Sequence, residues 1–321
     1  MKKYISCITE AIGNTPLLRL DRLAAKLGVE GEIYAKLEHM NPSFSKKDRI
    51  ALGMIEMAEK KGLIKPGQPV LEVTSGNTGT GVALVCAAKG YQFICCMSKG
   101  NSVERVKMIK AFGGDVVLVD QAPGAVRGKV SNDDLLLVER EAERIVEQTG
   151  AYYINQFYNR DNSAAQEAAA EEMWEQSGGA LEAFADFIGT GGTFSGYARV
   201  FKTRNPKIRC FAVEPEGCAY YGNEVVPGAS HGIQGGGYAK EVENVDRAHI
   251  DGCVTVNDGE SVEMTQRLAA VEGIFAGFSS GANVAAAVKL LDGAEKGRKI
   301  GVVINDCGLK YMSTNLFSDP A

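Results

Sequence analysis

Four short stretches of this 321-residue chain have residue types and spacings that can do chemistry. The first, Asn41-Pro-Ser-Phe-Ser-Lys-Lys-Asp-Arg49, runs from a loop into a helix, because Ile50, Met54, Ile55 and Ala58 recur at helical spacing. Lys47 would then stand at the positive end of a helix dipole. That position is poor for a charged lysine but favours a neutral, nucleophilic amine. From local sequence alone, two solvated surface lysines explain Lys46 and Lys47 more simply. The second stretch is Thr74-Ser-Gly-Asn-Thr-Gly79, between an apolar run and a helix. Its hydroxyls, amide and backbone N–H groups could converge on a carboxylate or phosphate. An ordinary turn capped by Thr78 or Asn77 reads equally well.

The third stretch, Gly189-Thr-Gly-Gly-Thr193, also lies between an apolar run and a helix. It matches neither the Walker A pattern nor a strict GxGxxG. A purely structural turn seldom needs three glycines and two threonines, so a phosphate nest is the stronger reading. The fourth, Gly277-Phe-Ser-Ser-Gly281, offers Ser279 and Ser280 either as helix caps or as hydroxyls facing a ligand.

Alternating elements must position these stretches. Strands are expected at Val70–Val73, Phe93–Met97, Asp115–Val119, Tyr152–Ile154, Phe184–Ile188, Arg209–Glu214 and Lys299–Ile304. Helices are expected at Gly79–Lys89, Ser102–Phe112, Leu135–Gln148, Thr193–Arg204 and Ser280–Leu291. Repeated βα units mean parallel sheets covered by helices, and two such series mean two α/β domains. Gln121–Asp134 reads as a surface loop, and Gly217–Asn244 as a long glycine-rich one.

Composition excludes several classes. The net charge of −5 and scattered basic residues argue against nucleic acid and anionic membrane as partners. No 18-residue apolar window exists, and the start MKKYISCITE lacks the apolar core of a secretory signal. The eight cysteines form no CxxC pair and only three histidines are present, so no metal site is expected. Free thiols fit a reducing cytoplasm.

Taken in order, the four stretches supply an amine for a Schiff base, a carboxylate site, a phosphate cradle and a neutral partner for a ring nitrogen. Those are the parts that pyridoxal 5'-phosphate chemistry asks of a protein. Here the chain resembles the cysteine synthase and cystathionine β-synthase family, the fold-type II pyridoxal-phosphate enzymes. The resemblance runs through Ile12-Gly-Asn-Thr-Pro-Leu17, Lys36-Leu-Glu-His-Met-Asn-Pro42, Ser45-Lys-Lys-Asp-Arg49, Thr74 to Gly79 and Gln156-Phe157. It continues through Gly189 to Thr193, Val213-Glu-Pro215, Gly232-Ile-Gln-Gly235, Gly273 to Gly281 and Tyr311-Met-Ser-Thr314.

The resemblance implies two doubly wound sheet domains of the tryptophan synthase β-like kind. Residues 41–158 would form the smaller, mobile domain, and 1–40 with 159–321 the larger. It selects Lys47, immediately before Asp48-Arg49, as the Schiff-base lysine and catalytic base. It assigns Asn77 to the cofactor's ring oxygen, Gly189, Thr190, Gly191, Gly192 and Thr193 to its phosphate, and Ser279 to its pyridine nitrogen. Thr74, Ser75, Thr78 and Gln156 would hold the substrate carboxylate, with Gly232 and the glycines after Gln234 lining the mouth. The implied chemistry is β-elimination and β-replacement on a small amino acid through an α-aminoacrylate, foremost cysteine synthesis from O-acetylserine and sulfide in a cytoplasmic homodimer. Sulfide-releasing cysteine β-lyase chemistry and cystathionine- or lanthionine-type synthesis are the alternatives. They stay open because the chain departs from the family pattern at Ser98–Asn101, at Ala164–Ala170, at Tyr238 and at Asn305–Tyr311.

Overall fold

The computed structural model describes residues 4–74, 76–101, 103–124 and 132–317. Strand β1 (Leu17–Arg19), helix α1 (Asp21–Leu27) and strand β2 (Glu32–Lys36) come first, followed by α2 (Lys47–Lys60). Then β3 (Val70–Val73), α3 (Asn77–Lys89), β4 (Phe93–Ser98), α4 (Val103–Ala111), β5 (Asp115–Val119), α5 (Asn132–Thr149) and β6 (Tyr152–Tyr153) alternate. Helix α6 (Asp161–Gln176) leads to β7 (Ala183–Phe187), α7 (Gly192–Arg204) and β8 (Arg209–Pro215). Short strands β9 (Cys218–Ala219) and β10 (Glu224–Val225) precede β11 (Gly252–Val256), α8 (Asp258–Arg267), α9 (Phe278–Asp292) and β12 (Lys299–Val303).

The chain divides into two compact units, Met1–Ile12 with Asn41–Ala165, and Gly13–Met40 with Gln166–Ala321. The units thus meet at 40/41, where a border was expected, but also at 12/13, and at 165/166 instead of 158/159. Residues up to Ile12 go with the first unit because Ile12 packs on its core. Residues 159–165 do so because Ala165 sits against Gly53, where a methyl group would overlap its side chain.

In the first unit the sheet order is β5-β4-β3-β6, with every pairing parallel. Period-two alternation sends Phe93, Cys95 and Met97 into a core with Ile50, Met54 and Ile55 of α2 and Val82 and Val85 of α3. Ile94 and Cys96 face the opposite way, onto Val138, Ala142 and Ile145 of α5. A sheet buried on both faces explains why these strands read as unbroken apolar runs.

The second unit holds a six-stranded sheet, β1-β2-β12-β7-β8-β11, in which β1 alone runs antiparallel. Ala183, Ala185 and Phe187 pack with α8 and α9 residues on one face. On the other, Phe184 stacks on Tyr197 of α7 at 5.0 Å between ring centroids. Lys36, at the end of β2, is a buried ammonium satisfied by Thr15 O (2.6 Å), Glu172 (2.7 Å) and Gln176 (2.9 Å).

Both sheets contain a topological switch. In the first, the chain moves from β3 outward through β4 to β5, then returns to the other side of β3 for β6. In the second, it moves from β7 through β8 to β11, then returns to the other side of β7 for β12. Loops leaving the carboxyl ends of strands that flank such a point open a crevice where ligands bind in α/β folds.

Two expected loops contain more structure than their composition suggested. α5 begins at Asn132, inside the expected loop 121–134, where the Asp134 carboxylate accepts the Ala122 amide at 2.6 Å; residues 125–131 lie outside the described ones. The loop 217–244 carries the β9–β10 hairpin. Its turn is organised by the Glu214 carboxylate, which accepts the amides of Tyr220 (3.0 Å), Tyr221 (2.8 Å) and Gly222 (3.2 Å).

Candidate active site

In the first unit, Lys47 is the first residue of α2. The loop before it turns at Phe44, a non-glycine residue at φ 66°. Asp48, buried in the first helical turn, pins that loop by accepting from the Ser43 amide at 2.6 Å and from the Ser43 hydroxyl. A carboxylate there is also favoured by the helix dipole. Gly81 of α3 is the reason this backbone can pass so close: a methyl would stand 3.0 Å from the Lys47 carbonyl oxygen. Thus α3 backs the segment that presents Lys47, while its own start follows the turn at Thr74.

That turn leaves β3 at the switch point. Thr74 Oγ1 accepts the amides of Gly76 (3.3 Å) and Gly79 (3.2 Å), so it caps the first turn of α3 in place of the N-cap residue, Gly76, which has no side chain. Thr80 N–H reaches the Gly76 carbonyl at 3.1 Å, which is why the helix starts at Asn77 rather than at Gly79. Gln156, just beyond β6 on the other side of the switch, accepts from Thr78 Oγ1 at 2.7 Å and donates to the Val73 carbonyl at 3.4 Å. Its backbone N–H donates to the Glu72 carboxylate at 3.3 Å. Burial pushes the Glu72 carboxyl up to about 8, partly opposed by the hydrogen bonds it accepts from Gln156. The unit therefore bonds Thr78 to Gln156 directly, and Gln156 to the Val73 carbonyl next to the Thr74 turn, with Asn77 in the same turn. Ser75 lies outside the described residues.

In the second unit, Gly189 to Thr193 follow β7 and open α7. Gly191 takes the left-handed conformation at φ 82°, and no side chain caps the helix. The turn is packed against backbone. A methyl on Gly189 would stand 2.6 Å from the Gly235 carbonyl oxygen, and one on Gly236 would overlap the Ile188 carbonyl, which already accepts the Gly237 amide at 2.9 Å. Thr190 and Thr193 are buried at this uncapped helix start, an arrangement able to grip phosphate. Ser279, in the first turn of α9, lies on the open side of Gly235, 3.8 Å from where a methyl on that glycine would sit. Gly232 has its own anchor: its amide is held by both Asp258 carboxylate oxygens, at 2.9 and 2.8 Å. The glycines Gly235 and Gly236, not Gly232, meet the Gly189 turn.

Comparison with known proteins places this arrangement. The family model for pyridoxal-phosphate-dependent enzymes matches residues 8–306. The chain belongs to that family. Cysteine synthase of Staphylococcus aureus (strain N315) is 38% identical over 322 residues, covering 99% of this chain and 98% of the relative. Among solved structures, O-acetyl serine sulfhydrylase isoform 3 of Entamoeba histolytica superposes with a TM-score of 0.90 at 32% identity, covering 100% of this chain and 93% of the other. A hydrogen sulfide-producing enzyme of Fusobacterium nucleatum gives a TM-score of 0.85 at 35% identity, covering 96% and 100%. The α/β fold with parallel sheets is that of these pyridoxal-phosphate enzymes.

Three residues of these crevices escaped sequence reasoning. Glu72 sits within a strand, where a carboxylate carries no motif. Asn305 follows β12 and donates its side-chain amide to Ser279 Oγ at 3.0 Å. Arg105 of α4 lies beside Gly76, where a methyl would stand 3.0 Å from its guanidinium. A polar residue directly after a buried strand was the available signal for Asn305; Arg105 had none. Among the described residues, no helix is long and apolar enough to cross a membrane and no cluster could hold a metal.

Proposed function

We propose that this enzyme makes cysteine from O-acetylserine and sulfide, releasing acetate. The observation that carries the reading is similarity to a cysteine synthase over 99% of the chain, with Lys47 at the first position of α2. The residues fit pyridoxal 5'-phosphate. The uncapped, glycine-packed start of α7 suits its phosphate. Ser279 has a hydroxyl hydrogen that no described residue accepts, and Asn305 Oδ1 is buried without a partner beside it. When bound, the cofactor supplies the electron sink that lets an amino acid shed its α-proton and then its β-substituent.

The chain's own residues do the rest. Lys47 holds the cofactor and takes the α-proton. Asn77 bonds the ring oxygen, Gly189 to Thr193 bind the phosphate, and Ser279 meets the ring nitrogen. Thr74, Ser75, Thr78 and Gln156 hold the substrate carboxylate. The Thr78–Gln156 bond and the two amides on Thr74 Oγ1 pre-form that turn, lowering the ordering cost of binding. Gly232 is assigned only to the rim of the substrate mouth. Acetate leaves the β-carbon, hydrosulfide adds there, and Lys47 returns its proton to the α-carbon. The eight free thiols support a cytoplasmic setting, and the family resemblance supports a homodimer.

The test is spectroscopic. The purified protein should absorb near the visible edge, and Lys47→Ala should abolish that band; a colourless, cofactor-free wild type would overturn the reading. O-acetylserine with sulfide should yield cysteine and acetate. The likeness to the hydrogen sulfide-producing enzyme supports a second reading, cysteine breakdown. Sulfide release from cysteine with no cysteine formed from O-acetylserine would select it.

A further inference from the structure

The carboxyl end of β12 adds a residue to the second unit's crevice. Asn305 is 5% exposed, and its flanks are fixed to the start of α9. Its own amide donates to Ser280 Oγ at 2.9 Å, and the next carbonyl, of Asp306, accepts from Gly277 N–H at 3.1 Å. From this fixed base its side chain donates Nδ2–H to Ser279 Oγ at 3.0 Å. Its other end, Oδ1, is buried with no partner among the described residues. A buried unpaired acceptor gives up its bonds to water with nothing in return, so such an atom calls for a reason.

The reason lies in the direction of the hydrogen bonds. A hydroxyl has one hydrogen. With Asn305 donating, Ser279 Oγ is occupied as an acceptor, and its hydrogen stays available to a ligand on the open side of Gly235. If the amide turned over, Oδ1 would take the serine hydrogen and strand Nδ2. Ser279 would then suit a ligand that donates. The two orientations thus match two ligands: a ring nitrogen without a proton, or one with it.

We propose that Asn305 is a positioning residue that sets the direction of the Ser279 hydroxyl, and so selects the unprotonated form of the cofactor's ring nitrogen. This rests on the pyridoxal-phosphate reading above. Asn305 would act on the cofactor through Ser279, so its influence should disappear when the hydroxyl is removed. Its carboxylate analogue reverses the relay. An aspartate can only accept, so Ser279 must donate to it and accept from a protonated ring nitrogen.

The test uses holoenzyme reconstituted with ring-15N-labelled pyridoxal phosphate, in wild type, Asn305→Asp, Asn305→Ala, Ser279→Ala and the Ser279→Ala/Asn305→Ala double variant. The 15N resonance of the wild type should be that of a neutral pyridine, and Asn305→Asp, nearly the same size, should move it toward the protonated value. Cofactor release should quicken about five- to tenfold in Asn305→Ala, the loss of one hydrogen bond, but less than twofold when the same change is made on Ser279→Ala. A protonated wild-type nitrogen, an unmoved resonance in Asn305→Asp, or equal acceleration in both backgrounds would overturn the proposal. In each of these cases the cofactor is bound, so the broader reading stands; a wild type that takes up no cofactor overturns both.

Discussion

At the turn after β3, side chains hold the backbone: Thr74 Oγ1 gathers two amides, Thr78 is tied to Gln156, and Gln156 rests on buried Glu72. At the turn after β7, backbone holds backbone: Gly189 lies on the Gly235 carbonyl, Gly236 on Ile188, and Gly191 takes a left-handed conformation against Val245. Both turns follow a strand at a sheet's switch point, and both start a helix whose N-cap residue is a glycine, Gly76 or Gly191. They differ in what a rearrangement would cost. Side-chain hydrogen bonds are worth about 1 kcal/mol each and can exchange for bonds to a ligand. Close-packed glycines leave nothing to exchange. The first turn suits a group that comes and goes with each turnover; the second suits one that stays.

The largest effect should come from Gly236→Ala. Its methyl would overlap the Ile188 carbonyl and break the Gly237 amide bond to it. A loss of about 3 kcal/mol in urea unfolding is expected, with loss of bound cofactor. Gly228→Ala is the control. It has a left-handed φ of 81° but nothing within 4 Å, so it should cost only about 1 kcal/mol of strain. Equal losses would break the claim that packing, not conformation, fixes the second turn.

Glu72→Gln sharpens the comparison from the other side. The Glu72 carboxyl is raised from about 4.5 to about 8 by burial, so the folded state binds a proton that the unfolded state releases. Its contribution to stability is present below about pH 4.5 and is lost as pH rises through about 8. Urea unfolding at both ends of that range should therefore show the variant gaining on the wild type with rising pH, by up to a few kcal/mol. A pH-independent difference would mean that the carboxylate is stabilised where it lies.

The smallest effect is expected from Thr74→Val. It keeps the shape and removes the acceptor of two amides. A loss of about 1–2 kcal/mol is expected, with cofactor content unchanged and the KM for the amino acid raised. If Thr74→Val destabilises as much as Gly236→Ala, the contrast between a soft turn and a rigid one fails.

Much of the fold was legible because the physics behind it is local. β3 and β5 match the expected spans residue for residue, and β4, α4 and α7 differ only at their ends. Buried parallel strands read as apolar runs, and glycine or hydroxyl turns punctuate them. Helix α6 is less legible, because its Ala164–Ala170 stretch is mostly alanine and carries no apolar stripe. Helix α8 was missed although Asn257 and Glu260 form a capping box that the sequence spells out. In the candidate site, Lys47 and the two turns were legible as residue types. Gly232 was expected with the glycines beyond it, but the bond from its amide to Asp258 depends on where α8 begins.

By itself the sequence determined the elements, the residue types in the turns and the kind of cofactor those turns could serve, since propensity, periodicity and donor chemistry belong to short segments. Only the tertiary structure decided the order of strands. That order sets Gln156 beside the Thr74 turn and Asn305 beside Ser279, across 82 and 26 residues of chain respectively (Thr74 to Gln156; Ser279 to Asn305). Neither pairing has a local signature, because a switch point arises from which strand returns to which side of the sheet.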